Sequence, residues 1–477
     1  MSEIIGWSAI STAENIRQRR VSCREVIDAH LEQIGEVNPA INAVVENHSE
    51  QAIELAKQQD NNWKAEDLPL LYGVPVTTKI NVDQSGSCNS NGLPALNINP
   101  ASQDSPVVTN LRNAGANIIG RTSTPEFSIR WFTSNPIYGV SKNPWQPDLT
   151  PGGSSGAAAA AVVSGIGCIA HGNDLGGSLR YPAYCCGAAT IRPSFGRVPA
   201  RNPSGAERPA ITQSMSVNGP IARSVADVRL GLDSMAARSS NDPLWVNATN
   251  SGRDRKRPWK IAWFVDAFEE GCDTDVAAAV HLSVAALKDA GHQVEEVTPP
   301  HAMETATLWG TLLFAETTNM ASDAIREMGS AELVTVFEAY TAFYEKLDLD
   351  GFLKAMQRRI AIQRVWNQMF DQYDAFILPV SGQKPFLNDF DFKFPERIDE
   401  LLRAQRYLGL VNVLALPSAA VPVTICDGIP LGVQLVSAMH DDNLCLDIAE
   451  DLERVVGFSY RDLDSSWPLM ESLRQAT

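Results

Sequence analysis

The sequence from residue 150 to residue 183 reads TPGGSSGAAAAAVVSGIGCIAHGNDLGGSLRYPA. It starts with a turn of glycine and serine, continues through the alanine run 157–161, and ends in a loop that contains Gly176, Gly177 and Ser178. Glycine permits sharp turns and close backbone approach, and backbone amides near a helix N-terminus stabilise negative charge. We therefore predict a tightly packed helix between two loops whose amides can hold an anion.

Helices and short apolar strands alternate on both sides of this stretch. Ser22 and Glu25 form the capping-box pattern that opens a helix, and the apolar run 71–76 is typical of a strand buried on both faces of a sheet. Similar signals predict helices from Ser49, over 106–114 and over 275–290, and strands at 118–119, 293–294, 375–378, 419–423 and 431–436. This alternation predicts an α/β fold around one sheet.

The segment 302–370 has a different character, because it reads as helical throughout. It carries many large side chains: Trp309, Leu312, Phe314, Phe337, Tyr340, Phe343, Tyr344, Phe352 and Trp366. These side chains could pack the helices onto the core or could form a cover over a substrate site, and the sequence leaves both readings open. Since no repeat and no long linker interrupts the chain, we expect a single domain over residues 1–477.

Composition excludes several classes of function. The 477 residues contain 39 Lys and Arg against 56 Asp and Glu, which gives a net charge of -17. Such a chain would repel a phosphate backbone, so nucleic acid is not an expected partner. The start of the sequence lacks a leader pattern and no run of eighteen apolar residues occurs, so we expect a soluble, cytoplasmic protein that does not bind membranes.

Metals and cofactors are not expected either. The eight cysteines include no CxxC pair, and the seven histidines are scattered along the chain without the spacing of metal ligands. No glycine-rich phosphate loop with the G-x-x-x-x-G-K-[ST] pattern occurs. We therefore predict chemistry carried by side chains and backbone amides alone.

Three local features carry that chemistry. Lys79 follows an apolar run, and a lysine held by hydroxyls in a dry site can lose its proton and act as a base. The two glycines before Ser178 free consecutive amides for an oxyanion hole, which Asp174 and Arg180 can brace with a charge-assisted hydrogen bond. The stretch around Ser154 also fits the G-x-S-x-G nucleophile elbow, a weak pattern that allows a Ser-Asp-His esterase as an alternative.

Together these features resemble the amidase signature family. Its signature is a Gly-Gly-Ser-Ser-Gly-Gly turn, a helix of small residues, and a Gly-x-Asp-x-Gly-Gly-Ser-[Ile/Leu]-Arg-x-Pro-Ala loop, which match residues 152–157 and 172–183 here. The family's lysine follows a strand that contains Gly-Val-Pro, as Lys79 does in this sequence. The resemblance covers about residues 20–205 and 370–455. The sequence departs from the frequent family pattern at Ala157, Asn173 and Arg192.

The resemblance implies a fold and an activity. The fold is a large, mixed, twisted β-sheet covered by helices on both faces, and the activity is hydrolysis of an amide, anilide or carbamate through an acyl-enzyme. Ser178 resembles the nucleophile, Ser154 the bridging serine that follows a cis peptide bond, and Lys79 the base. The remaining implied site residues are the oxyanion amides of Leu175, Gly176, Gly177 and Ser178 and the supporting side chains of Ser155, Asn173, Asp174 and Arg180.

Substrate and partners are less specified by the motifs. Four residues are predicted to contact the substrate from their placement near the motifs: Trp131, Phe132, Tyr138 and Arg197. The aromatic residues of 302–370 favour an apolar acyl or aryl group, as in an aryl acylamidase or a carbamate-cleaving member. The expected partner is a small amide or carbamate, and the expected assembly is a monomer or homodimer. The alternatives are the glutaminase subunit of a tRNA-dependent amidotransferase, the esterase above, and a catalytically silent binding protein.

Overall fold

The computed structural model describes residues 3–64, 66, 68–248 and 256–458. The helices in this part of the chain are α1 Ala9–Arg17, α2 Cys23–Ile41, α3 Ser49–Asn61, α4 Pro106–Asn113, α5 Gly156–Val163, α6 Arg180–Cys186, α7 Ala210–Met215, α8 Val225–Met235, α9 Thr274–Asp289, α10 Ala302–Met320, α11 Ser322–Met328, α12 Ala331–Phe343, α13 Leu349–Gln372, α14 Phe390–Lys393, α15 Ile398–Ala404, α16 Arg406–Leu414 and α17 Asp442–Val456. The strands are β1 Val44–Asn47, β2 Pro75–Lys79, β3 Asn117–Thr122, β4 Ser134–Asn135, β5 Gly139–Val140, β6 Ile169–Asp174, β7 Ala189–Arg192, β8 Val217–Ala222, β9 Lys260–Trp263, β10 Gln293–Glu296, β11 Ala375–Pro379, β12 Ser418–Cys426 and β13 Ile429–Ser437.

One mixed sheet organises the molecule. Its strand order is β1-β3-β2-β6-β8-β7-β12-β13-β11-β9-β10, and β4 pairs only with β5. β2 runs parallel to β3 and β6, and β9 runs parallel to β10 and β11, whereas the other neighbouring strands are antiparallel. β2, β3 and β13 are buried along their whole length, as strands are when helices cover both faces of a sheet. The predicted α/β fold with a large mixed sheet is confirmed.

Local sequence signals account for most of the element boundaries. Ser22 caps α2 with both bonds of the predicted capping box, and Pro106 begins α4 after Ser105. The strand predicted at 71–76 is wrong in position, because β2 starts only at Pro75. The preceding residues turn instead: Gly73 has φ 74°, and a Cβ there would lie 2.5 Å from the Cys23 sulfur.

The topology gathers the predicted functional stretches at one edge of the sheet. β2 and β6 are parallel neighbours, so their last residues, Lys79 and Asp174, lie at the same edge. All eight residues of α5 are buried, and this helix packs against β6 and α6. The tightly packed helix between two loops is thus confirmed.

The segment 302–370 is helical, as predicted, and comprises α10, α11, α12 and most of α13. α10 packs against α16 and α13, which connects this segment to the C-terminal half of the chain. Across the described residues, no helix combines the length and the apolar character needed to cross a membrane.

Candidate active site

Lys79 is the buried centre of the site. Its side chain is fully enclosed at the end of β2, and its Nζ lies 2.7 Å from Ser154 Oγ, 2.9 Å from Asn173 Oδ1 and 3.1 Å from Ser155 Oγ. Burial lowers the pKa of Lys79 well below its ordinary value, because the charged form loses its hydration, and the negative charge of Asp174 opposes this shift only in part. The site therefore favours an uncharged amine in contact with three oxygen atoms.

Ser154 is positioned by the glycine-serine turn that precedes α5. The peptide bond between Gly153 and Ser154 is cis, as the family resemblance implied. The Ser154 carbonyl accepts a hydrogen bond from Thr124 Oγ1 at 3.1 Å. A Cβ on Gly153 would lie 2.4 Å from the Phe132 backbone nitrogen, so only glycine lets the turn approach this segment. Sequence and packing together place the Ser154 hydroxyl beside Lys79.

Ser178 lies in the loop between β6 and α6, and it shares one cavity with Ser154. Asp174 holds this loop by accepting hydrogen bonds from the backbone N–H groups of Gly177, at 2.9 Å, and Leu179, at 3.2 Å. Gly177 therefore already has a partner for its amide. The amides of Leu175, Gly176 and Ser178 remain as candidate donors to a substrate oxyanion.

Asp174 is itself fixed by a buried network. Arg180 donates to both of its carboxylate oxygens at 3.1 Å, and Asn412 Nδ2 donates to it at 2.8 Å. Burial alone would raise the pKa of Asp174, but Arg180 and the nearby Arg192 hold that pKa below its ordinary value. Asp174 is thus a charged anchor for the loop, and the predicted brace between Asp174 and Arg180 is present.

Two tryptophans contact the same loop from outside. Trp131 Nε1 donates to the Gly176 carbonyl at 2.7 Å, and Trp309 Nε1 donates to the Leu175 carbonyl at 2.9 Å. Their ring centroids lie 5.9 Å apart. Trp309 belongs to α10, so the helical segment 302–370 contacts the loop directly.

The cavity that contains Ser154 and Ser178 has a volume of about 530 Å³. Its apolar wall includes Phe127, Ile129, Trp131, Trp309, Leu313 and Phe314. Its polar wall includes Asn81, Asn173 and Ser128, which hydrogen bonds connect: Asn173 Nδ2 donates to Asn81 Oδ1, and Asn81 Nδ2 donates to Ser128 Oγ. A mostly apolar pocket with few directed polar groups is typical of a small-molecule site.

The four residues predicted to contact substrate have different positions. Trp131 lines the cavity, whereas Phe132, Tyr138 and Arg197 are not among the residues that line it. Phe132 is fully buried behind the Gly153 turn, and Arg197 lies 3.7 Å from Asp233. Proximity to a motif in sequence failed here, because adjacent residues of a loop face opposite sides.

A histidine-based mechanism has no support in this geometry. His171 is fully buried, with Nδ1 3.5 Å from the Lys79 backbone nitrogen and Nε2 3.2 Å from Asn218 Oδ1. Burial lowers its pKa to about 4, although the hydrogen bond to Asn218 opposes the shift. Both ring nitrogens therefore have partners other than Ser154 and Ser178.

Potential metal ligands cluster at one place in the described part of the chain, formed by Asp275, Cys426 and Asp427. The ammonium group of Lys384 forms ion pairs with both carboxylates. A cation is thus already provided by the chain, and the cluster lies outside the residues that line the Ser154 cavity.

Sequence reasoning missed Trp309 as a loop contact and Asn81 as a partner of Asn173. For Trp309, the signal of a lone aromatic in a helical segment did not separate a core residue from one that reaches a distant carbonyl. For Asn81, its place two residues after Lys79 was the available signal, since it follows the same strand.

Comparisons with known proteins agree with this site. A family model described as Amidase matches residues 25–446. An indoleacetamide hydrolase of Bradyrhizobium diazoefficiens is 42% identical over 94% of this chain and 87% of its own length, and an acylamidase of Rhodococcus erythropolis is 30% identical over 94% of this chain and 95% of its own length. The structure of a bacterial aryl acylamidase of the amidase signature family has the same fold, with a TM-score of 0.85 at 24% identity, covering 98% of this chain and 100% of that one. The chain belongs to the amidase signature family and is a hydrolase of carbon-nitrogen acyl bonds.

Proposed function

We propose that this enzyme hydrolyses the primary amide of an arylacetic acid, such as indole-3-acetamide, through an acyl-enzyme on Ser178. The contact of 2.7 Å between the buried Lys79 amine and Ser154 Oγ carries the mechanism. The aromatic wall and the 42% identity to a protein named indoleacetamide hydrolase support the substrate. The anilide and carbamate readings stay open as neighbouring substrate classes.

The hydrogen bonds around Lys79 give its lone pair a direction. A neutral amine has two N–H groups and one lone pair. Asn173 Oδ1 can only accept, and the Ser155 hydroxyl lies 3.4 Å from the Asn173 carbonyl to which it donates, so both take an N–H from Lys79. The lone pair then faces Ser154 Oγ, ready to receive its proton.

The proposed reaction balances in two steps. Lys79 takes the proton of Ser154, Ser154 takes that of Ser178, and Ser178 Oγ attacks the amide carbon while backbone amides hold the oxyanion. The relay runs backwards to protonate the nitrogen, so ammonia leaves and an ester to Ser178 remains. Water then attacks that ester by the same relay and releases the carboxylic acid. The chain supplies every proton carrier, with no cofactor.

The surroundings of the site complete the proposal. We propose that residues 302–370 form one wall of the site within a single domain, that the enzyme acts as a monomer or homodimer without nucleic acid, and that it resides in the cytoplasm. All eight cysteines are free, which suits a reducing compartment. The amidotransferase reading is not favoured, because a single chain with this wall can bind an aryl substrate by itself.

The decisive assay measures ammonia release by the purified chain in EDTA, without ATP or a second protein. Indole-3-acetamide, an anilide, an aryl carbamate, an aryl ester and propionamide are compared by kcat/KM. We expect indole-3-acetamide to be the best amide, and added hydroxylamine to trap the acyl group as a hydroxamate. Hydrolysis only with a partner and ATP would support the amidotransferase subunit, and faster turnover of propionamide would refute the arylacetamide assignment.

A further inference from the structure

The two tryptophans that contact the loop before Ser178 do more than line the cavity. Trp309 donates to the carbonyl of Leu175 and Trp131 donates to the carbonyl of Gly176, so consecutive peptide units are each held by one indole N–H. We propose that Trp131 and Trp309 are positioning residues of the oxyanion site, which fix the direction of its backbone donors. This inference rests on the proposed function, because it assigns a role within that reaction.

Peptide geometry gives the bonds their consequence. In a planar trans peptide unit the C=O and the following N–H point in opposite directions. With the Leu175 carbonyl held by Trp309, the Gly176 N–H must point away from that indole. With the Gly176 carbonyl held by Trp131, the Gly177 N–H points to the opposite side, where Asp174 accepts it at 2.9 Å. Three hydrogen bonds thus fix two successive peptide planes.

The glycines of the loop have shapes that suit this arrangement. A Cβ on Gly176 would lie 2.5 Å from Trp309 Cζ2, so the indole reaches the loop only because residue 176 is glycine. Gly177 has φ 99°, and a Cβ there would lie 2.4 Å from Leu408 Cδ1. The double glycine therefore serves the close approach of Trp309 and Leu408 as well as the exposure of amides.

Packing holds the two indoles themselves in place. Both tryptophans are about 95% buried, with exposed fractions of 4% and 5%. The Trp131 ring also lies 5.8 Å from the Tyr340 ring, and the Trp309 ring lies 6.2 Å from Phe314 and 6.3 Å from Tyr344. A rigid donor costs little reorganisation when charge develops on the substrate, which is the condition for effective oxyanion stabilisation. The helical segment thereby contributes to kcat through Trp309.

Trp309→Phe and Trp131→Phe test the role by removing the N–H and keeping an aromatic ring. Benzylboronic acid serves as the tetrahedral probe. Phenylacetamide binding, measured in the Ser178→Ala background, serves as the ground-state probe. We expect each variant to weaken the boronate and to lower kcat/KM by the same factor of about tenfold or more, a fraction of the 10²–10³ that loss of a direct oxyanion donor costs. The dissociation constant of phenylacetamide should change less than about threefold, because uniform binding is not affected.

Phe314→Leu is the matched control, since Phe314 lines the same cavity and touches the Trp309 ring but offers no N–H. It should weaken boronate and amide binding by similar factors. If a phenylalanine variant fails to fold, Trp309→benzothienylalanine keeps the two-ring shape with sulfur in place of N–H. Parallel loss of both affinities in the tryptophan variants, or unchanged kcat/KM, would overturn the inference. Wild-type enzyme that does not bind the boronate, or active Ser178→Ala, would instead overturn the proposed function.

Discussion

Two regions line the same cavity under different rules. In the glycine-serine unit 150–183, nearly every residue is buried and many have a specific partner, such as Asp174 with the amide of Gly177. In the helical segment 302–370, only one side of α10 and part of α11 reach the cavity, and other aromatic residues pack behind them. The comparison teaches that proton transfer constrains residue type at each position, whereas an apolar wall requires only shape and burial.

The largest effect should come from the proposed proton relay in the glycine-serine unit. Lys79→Met, Ser154→Ala and Ser178→Ala should each lower kcat/KM by at least about 10³, and pairs of these changes should cost little more, because one unit is disabled in every case. Steady-state kinetics with indole-3-acetamide measure this, and thermal melting verifies folding.

His171→Asn provides the control for the esterase alternative, because it removes the imidazole closest in sequence to Ser178. Measurable turnover should survive in this variant when its melting shows a folded protein. An activity loss as large as that of Ser178→Ala in a folded His171→Asn variant would contradict the lysine relay.

The next effect concerns pH and the hydrogen bond between Asn173 and Lys79. Since the relay needs neutral Lys79, kcat/KM should rise with pH through the lowered pKa of this amine. Asn173→Asp would place a carboxylate where Oδ1 now lies 2.9 Å from Nζ, favour the ammonium form and move this limb to higher pH. Activity below the limb should fall about tenfold for each unit by which the pKa rises.

Asn173→Thr is the corresponding control, because it keeps a neutral oxygen and restores the residue that is frequent in the family. Its pH limb should stay near that of the wild type. A limb that does not move in Asn173→Asp would show that another group controls it.

Sequence predicted the glycine-serine unit well and its surroundings poorly. Lys79, Ser154 and Asn173 could be named because proton transfer and their motifs restrict the residue types. The contact between Trp309 and the Leu175 carbonyl joins positions 134 residues apart, and no local pattern records that approach. The start of β2 was misplaced for a related reason: Thr77 and Thr78 look polar but are fully buried in the sheet.

A smaller effect should separate the cavity wall from its support. Phe314→Ala removes apolar surface that an aryl group would contact, so kcat/KM for indole-3-acetamide should fall about tenfold, within the range seen for changes in hydrophobic pockets. Propionamide is too small to use this surface, and its kcat/KM should change much less. The ratio of the two kcat/KM values measures the effect, and an unchanged ratio would remove Phe314 from the substrate wall.

The smallest effect on catalysis is expected at Phe337 of α12, one of the aromatic residues that the sequence grouped with Phe314. Phe337 is 2% exposed and is not among the residues that line the cavity, so its ring contributes packing. Phe337→Leu should lower the free energy of unfolding by about 1–3 kcal/mol, less than the roughly 3–5 kcal/mol of full truncation to alanine. The selectivity for indole-3-acetamide over propionamide should stay at the wild-type value, because no substrate-facing surface changes. Denaturant unfolding and the same pair of kinetic assays measure both quantities. A loss of selectivity as large as that of Phe314→Ala, with unchanged stability, would show that α12 also forms part of the substrate wall.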